Sequence, residues 1–313
     1  MTRFVRLYYS VKTIIPRPIQ IMVRRRIALR KLLRCKDTWP IDEHTIRRPP
    51  VFSCWPEQKR FSLVLTHDVD SAKGQEKCVK LAEIEEKFDF RSSFNFVPER
   101  YNVSGYLRSY LTDNGFEVGV HGLKHDGKLY ASRKIFQERA SKINEYLKEW
   151  KAVGFRSPAM HHNLDWLHDL AIEYDASTFD TDPFEPQPTG LGTIFPLWVK
   201  RNSNQGGYVE LPYTLPQDFT LFILLREKSI DMWKLKLDWV AEKGGMALIN
   251  VHPDYINFDE GNPALEEYPV QYYKQFLQYV KTRYEGAYWH VLPKDMARFW
   301  SKNAELEQYS DCR

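Results

Sequence analysis

From Phe61 to about Trp300, short apolar runs alternate with stretches of helical spacing. The runs predict strands at Phe61 to Thr66, Ser92 to Val97, Phe116 to His121, Val153 to Arg156, Tyr174 to Ser177, Tyr208 to Leu211, Ala247 to His252 and Trp289 to Leu292. Between them, Ile135, Ile143, Leu147 and Trp150, and again Trp233, Leu237 and Val240, recur along one helix face. Strands separated by helices pair in parallel, because each crossover returns the chain to the same end of the sheet. A chain of 313 residues is long enough for one large barrel or two ordinary domains. Seven or eight strand-helix repeats favour the closed barrel, in which chemistry gathers at the carboxyl ends of the strands. Ionisable groups fall at those ends: Asp68 and Asp70 on one strand, then His121, Arg156 and His252 on three others. Helix caps and scattered surface polar groups do not explain why four separate strands all stop this way.

The first expected strand, FSLVLTHDVD from Phe61 to Asp70, turns from apolar to charged within a few residues. Asp68 and Asp70 crowd two carboxylates so closely that either one holds a proton or a cation sits between them. Alternatively, the two acids cap the helix expected from Ser71 to Lys87. Farther on, Phe116 to Gly127 reads FEVGVHGLKHDG, and the spacing of His121 and His125 predicts two imidazoles on one side of a helical turn. With a carboxylate from elsewhere they complete a two-histidine, one-carboxylate site with open positions for water. That donor set suits Zn2+, Fe2+ or Co2+ alike. An HxxxH by itself is commonly surface or core histidine; the Asp68-Val69-Asp70 strand end is what turns it toward metal binding.

The formal net charge of +4 is unevenly placed. Met1 to Arg48 holds 13 Lys or Arg against three acids, leaving 32 basic and 38 acidic residues for the rest of the chain. Among the basic residues recur Ile19, Ile21, Met22, Val23, Ile27, Leu29, Leu32 and Leu33, which predicts an amphipathic helix after Pro18 with a wide cationic face. Arg48-Pro49-Pro50 and Trp55-Pro56 read as an extended linker. The expected division is therefore an arm and linker at 1–50 and a barrel body at 51–313. A basic arm on a mildly acidic body does not describe a nucleic-acid-binding domain. It is either a solvated extension or a contact for anionic lipid or a phosphorylated carrier. Cys35, Cys54, Cys78 and Cys312 show no CxxC spacing and fit free thiols in a reducing compartment. Neither a signal-peptide core nor the roughly 18 uninterrupted apolar residues of a membrane span is found. The expected location is the cytoplasm, with peripheral contact at the inner face of the membrane.

THDVD, HGLKH, Gly154-Phe155-Arg156-Ser157-Pro158 and Ile249-Asn250-Val251-His252 follow one another in this order. The series resembles the ordered motifs of the polysaccharide deacetylases, carbohydrate esterase family 4, and the resemblance runs from about Phe61 to about Trp300. It implies a distorted (β/α)7-8 barrel, with the basic N-terminal helical extension lying outside it. The implied activity is metal-dependent hydrolysis of an N-acetyl group on a sugar, in a bacterial-type surface polysaccharide or its precursor. The first motif of the family usually has two adjacent acids, whereas here Val69 intervenes. By that likeness Asp68 is the base, and Asp70 ligates the metal, Zn2+ first among the candidates, with His121 and His125; the reverse assignment of the two acids stays open. On the same pattern Arg156 holds Asp68 and His252 protonates the departing amine. An acid within YDASTFDTDPFEPQP, Asp180 or Asp182, is expected to tune His252. Met160-His161-His162 offers a place for a third histidine near the metal; Glu210 to Asp218, following a strand, is a candidate sugar-binding rim, and Tyr213 and Trp198 are candidate stacking surfaces for a carbohydrate substrate. The rival readings are a same-fold amidohydrolase acting on a cyclic ureide or other non-sugar amide, and a catalytically idle carbohydrate-binding barrel. A complete base, ligand and acid set argues against idleness.

Overall fold

The computed structural model describes residues 15–49, 52–201, 206–259, 261 and 263–310, with 303–310 as backbone. The first 14 residues of the expected arm, Pro50 in the expected linker and Cys312 lie outside them. Helix α1 (Arg17–Cys35) precedes β1 (Phe61–Val69), α2 (Ala72–Lys87), β2 (Ser93–Phe96), α3 (Gly105–Asp113) and β3 (Glu117–His121). Then come α4 (Arg133–Trp150), β4 (Gly154–Arg156), β5 (Tyr174–Asp175), β6 (Leu197–Lys200) and β7 (Gly207–Glu210). A fully buried π-helix (Phe219–Leu225) leads to α5 (Asp231–Lys243) and β8 (Met246–Val251). The chain ends with β9 (Ile256–Asn257), β10 (Tyr268–Pro269), α6 (Val270–Tyr284), β11 (Tyr288–His290) and α7 (Pro293–Ser310).

Nine of these strands form one sheet, and every pairing in it is parallel except that of β6 with β7. Its centre is β1, buried along its whole length. β8 pairs with one edge of β1; β11 lies beside Phe61 to Leu63 and β2 beside Thr66 to Val69. From β2 the order runs through β3, β4, β5 and β7 to β6. The gap between β7 and β8 is bridged by the segment after β7. There the N–H groups of Thr214 and Leu215 both donate to the Leu248 carbonyl, at 3.0 and 3.1 Å. The result is a barrel distorted at its seam.

All eight expected strands are present; β6 is an addition to their sheet, and β9 and β10 pair apart from it. The first strand runs three residues beyond expectation, so Asp68 lies inside β1 and only Asp70 follows it. Neither acid caps α2: Ser71 does, its hydroxyl accepting from Gly74 N at 3.3 Å. Strand alternation sends His67 outward to Glu85 of α2, at 2.8 Å, while Thr66 and Asp68 face Arg156.

The expected linker is part of the core. Trp55 is 1% exposed and donates its indole N–H to Gly244 O at 2.9 Å. It packs among Phe52, Phe195, Trp289 and Trp300, plugging the amino ends of β1, β8 and β11. Helix α1 forms where expected and lies against the barrel, burying Gln20, Ile21 and Ala28, but most of its apolar residues are exposed beside its arginines instead of lying on a separate face.

Candidate metal centre and catalytic pocket

Four strand ends meet at one rim of the barrel. Asp68 Oδ1 accepts from Asn95 Nδ2 at 3.0 Å and Arg156 Nη1 at 3.2 Å, and Oδ2 accepts from Asn250 Nδ2 at 2.9 Å. Burial pushes its pKa up, but the charges of Arg156, His121 and His252 and the Asn95 hydrogen bond hold it well below the usual carboxylate range. Asp68 is therefore ionised at neutral pH. The β2–β3 register sets Asn95 beside Gly119, and a Cβ at 119 would fall 2.1 Å from Asn95 Oδ1. Glycine is what lets the amide reach across. Arg156 is fully buried and donates as well to Ala176 O, Thr66 Oγ1 and Asn250 Oδ1, at 2.7, 2.8 and 2.7 Å. Asn95 and Asn250 thus brace the Asp68 carboxylate from two sides. Nothing in the sequence marks Asn95, whose role appears only once β2 pairs with β1.

Asp70 lies one residue past β1, where its N–H donates to Asp254 Oδ2 at 2.9 Å. The other Asp254 oxygen accepts from the Ser71 hydroxyl. Asp70 Oδ1 faces His125 Nε2 at 3.0 Å and His121 Nε2 at 3.4 Å. One ligating atom from each of Asp70, His121 and His125 lies within 4.8 Å of the others. The grouping takes in Asp70 and leaves Asp68 to the side, its Oδ2 3.9 Å from His121 Nε2.

The two histidines do not share a helical turn. His121 ends β3, whereas His125 sits in a loop with φ +52. That loop folds back through Gly122, at φ +61, where a side chain would also strike the Pro158 ring. The HxxxH spacing works because two left-handed residues tighten the loop, not because of helical periodicity.

The donor set fits a divalent cation. Asp70 Oδ1 is buried yet has no hydrogen-bond donor in a suitable direction, although two imidazole nitrogens stand close by. His121 Nδ1 lies 3.0 Å from the Arg156 carbonyl, which fixes the proton there and leaves the Nε2 lone pair toward Asp70. Burial pulls the His125 pKa down, against the pull of Asp70, toward the neutral form that a ligand needs.

His252 follows β8 on the same rim. The sequence pointed to Asp180 or Asp182 as its acidic partner; the partner is Asp218. Asp218 Oδ1 lies 2.7 Å from His252 Nδ1, and Oδ2 accepts the His252 backbone N–H at 2.8 Å and the Tyr268 hydroxyl at 3.1 Å. Asp180 is instead tied to Lys236 at 2.6 Å, and Asp182 accepts from the Tyr213 hydroxyl at 2.7 Å. Burial pulls His252 down, yet Asp218, then Asp70 and Asp68, push it up to about 10.

The two stacking candidates fare differently from the rest. Tyr213 is 1% exposed, its ring against Phe179 and its hydroxyl bound to Asp182 and Glu185, so it offers no face to a sugar. Trp198 lies on β6, the last strand of the sheet path, with its ring over Gly207. Half-buried Tyr255, 5.1 Å from His252 between ring centroids, is the aromatic at the pocket, with Phe219 behind it at 5.0 Å. His161 lines a small cavity with His125 but is not part of the Asp70 cluster.

No protein-family model matches the sequence, and no curated protein matches it either. The solved structures that share the fold include the following three. One is a Mycobacterium smegmatis protein provisionally assigned as a polysaccharide deacetylase, at TM-score 0.60 and 18% identity over 80% of this chain and 94% of its own. Another, with the same provisional assignment, comes from Pseudomonas aeruginosa PAO1, at TM-score 0.60 and 16% identity over 79% and 93%. The third is Puue allantoinase, at TM-score 0.62 and 16% identity over 81% and 94%. The barrel, with its seam between β7 and β8 and its strand-end pocket, has the fold of the polysaccharide deacetylases.

Proposed function

We propose that the chain is a metal-dependent hydrolase of carbon–nitrogen bonds other than peptide bonds, removing an acetyl group from an N-acetylated sugar of a surface polysaccharide or its precursor. The observation that carries this reading is the convergence of Asp70, His121 and His125 on one point, with Asp68 and His252 flanking it. Asp70, His121 and His125 would hold the ion, with Zn2+ the inferred occupant. Such an ion lowers the pKa of a bound water and polarises an amide carbonyl.

The remaining work belongs to side chains. Asp68, ionised and 3.9 Å from His121 Nε2, accepts the proton of the attacking water. Arg156, Asn95 and Asn250 fix its two oxygens in direction, so no reorganisation is needed when the proton arrives. His252, kept protonated by Asp218, donates from Nε2 to the departing nitrogen, leaving an amine and acetate. Tyr255 supplies an apolar ring against which a pyranose can lie.

A second reading is hydrolysis of a non-sugar amide, since an allantoinase has the same fold. The experiment is a screen of the metal-loaded protein for acetate release from N-acetylated sugars, beside a cyclic ureide. Acetate and free amine in stoichiometric amounts support the first reading. Ring opening of the ureide without acetate release from any sugar replaces it with the second.

A further inference from the structure

Helix α1 rides on the barrel rim that carries the pocket. The Arg24 guanidinium lies 4.5 Å from the Phe219 ring centroid, Phe219 packs on Tyr255, and Tyr255 packs on His252. Near its two ends the helix is fastened by the Arg17–Glu266 ion pair and by Lys31, whose Nζ donates to Pro183 O at 2.6 Å. The inward face is thus accounted for.

The outward face is unlike a helix surface in water. Of the ten large apolar side chains exposed among the described residues, six sit on it: Ile19, Met22, Val23, Ile27, Leu29 and Leu33, the last 78% exposed. Arg26, Arg30 and Arg34, each four residues from the next, run down the middle of this face as one row. All three are exposed, and no Asp or Glu occurs in the chain before Asp37. A solvated helix face is polar throughout, whereas this one interleaves apolar groups with cations alone. In a two-fold pair of chains the arginine row would meet its own copy with no acid between, so a second copy is a poor fit. An anionic bilayer suits both components. Apolar side chains enter the boundary between headgroups and acyl chains, and the long arginines reach the phosphates. No described helix is long and apolar enough to cross a membrane.

We infer that the outward face of α1 docks the protein on an anionic lipid surface, holding the mouth of the pocket at the headgroup layer. Resting on the hydrolase reading above, this makes the substrate class an N-acetylated sugar borne on a lipid. The test uses the full chain with vesicles of phosphatidylcholine alone and of phosphatidylcholine mixed with phosphatidylglycerol. Wild type is expected to sediment with the mixed vesicles only, and to be released by salt. A combined Arg26→Glu, Arg30→Glu and Arg34→Glu variant should bind about 100-fold more weakly or worse. A combined Ile19→Ser, Met22→Ser and Leu33→Ser variant should also be released, with unchanged thermal unfolding in both. Acetate release from a soluble N-acetylated sugar should stay at the wild-type level in both variants, while turnover of a lipid-borne sugar in mixed vesicles falls. Wild type that ignores anionic vesicles, or charge-reversed protein that binds them equally well, overturns the proposal. So does a dimer in solution that the serine variant dissociates, which would assign the face to a second copy. Vesicle binding without any sugar hydrolysis keeps the docking and removes the sugar-deacetylase reading instead.

Discussion

Asp218 holds His252 at two points, with one carboxylate oxygen 2.7 Å from the ring Nδ1 and the other accepting the backbone N–H at 2.8 Å. The arrangement fixes the imidazole by its main chain and its ring together, and the negative charge raises its pKa to about 10 against the pull of burial. A histidine that donates a proton must carry one, so turnover falls as the pH rises through that value. Asp218→Asn removes the charge and brings the fall to lower pH. At pH 9 the variant should lose ~100-fold in kcat/KM relative to wild type, and much less at pH 6. The same pair stabilises the fold below the unfolded histidine pKa of about 6.5, and that contribution fades as the pH approaches the folded value. A pH–rate profile whose alkaline limb does not move in the variant removes Asp218 from this role.

Metal and turnover should separate by residue. Asp70→Ala or His125→Ala removes one of three protein donors. Each should weaken metal binding by more than the ~100-fold seen when only a supporting partner is lost, with activity falling in step. His252→Ala should retain the full metal content and still lose ~100- to 10,000-fold in kcat. Elemental analysis after dialysis, run beside the acetate assay, reads both quantities. Metal loss in His252→Ala would place that histidine among the ligands.

Arg156→Met tests the buried pair with Asp68. The guanidinium is fully buried and also serves Ala176, Thr66 and Asn250, so its removal leaves an uncompensated carboxylate inside the barrel. The expected destabilisation is about 3–5 kcal/mol by denaturant titration. Asp68 has a depressed folded pKa, so its stabilising contribution is present above the unfolded carboxylate value and lost as the pH falls through the folded one. Without Arg156 that loss begins at higher pH, and the acid limb of activity should move up with it.

Much of this was legible in the sequence, for identifiable reasons. Parallel strands buried on both faces leave dense apolar runs, and all eight such runs became strands. Asp68, Asp70, His121, Arg156 and His252 stood out because charge is rare where a buried strand ends. Strand β6 did not, because an outer antiparallel strand with Leu197 and Lys200 exposed has no core pattern to read. His125 was found by its spacing but for the wrong reason, since periodicity cannot distinguish a helical turn from a loop with two left-handed residues. Asp218 was read only as the end of the Glu210 to Asp218 rim, because its pairing with His252 spans 34 residues and leaves no local pattern. Trp55 was read as linker because Trp-Pro looks extended locally, whereas its burial depends on partners as far away as Trp300.

Gly119 carries a last consequence of the strand register. It faces Asn95 across the β2–β3 pairing, and a methyl group there would overlap the Asn95 carboxamide. Gly119→Ala should therefore displace Asn95 from Asp68 while leaving Asp70, His121 and His125 in place. The methyl group meets the end of a side chain, so the expected loss of stability is modest, about 1–3 kcal/mol for overpacking. Asp68, the proposed base, loses one of its three donors but keeps Arg156 and Asn250. The predicted signature is a fall of ~10-fold in kcat with metal content and KM unchanged, because orientation of the base matters in the transition state and not in substrate binding. Asn95→Ala should produce the same fall without the overlap, and the double variant should be no worse than Asn95→Ala, since both act through one hydrogen bond. Additive losses in the double variant would mean that Gly119 supports the site by some route other than Asn95.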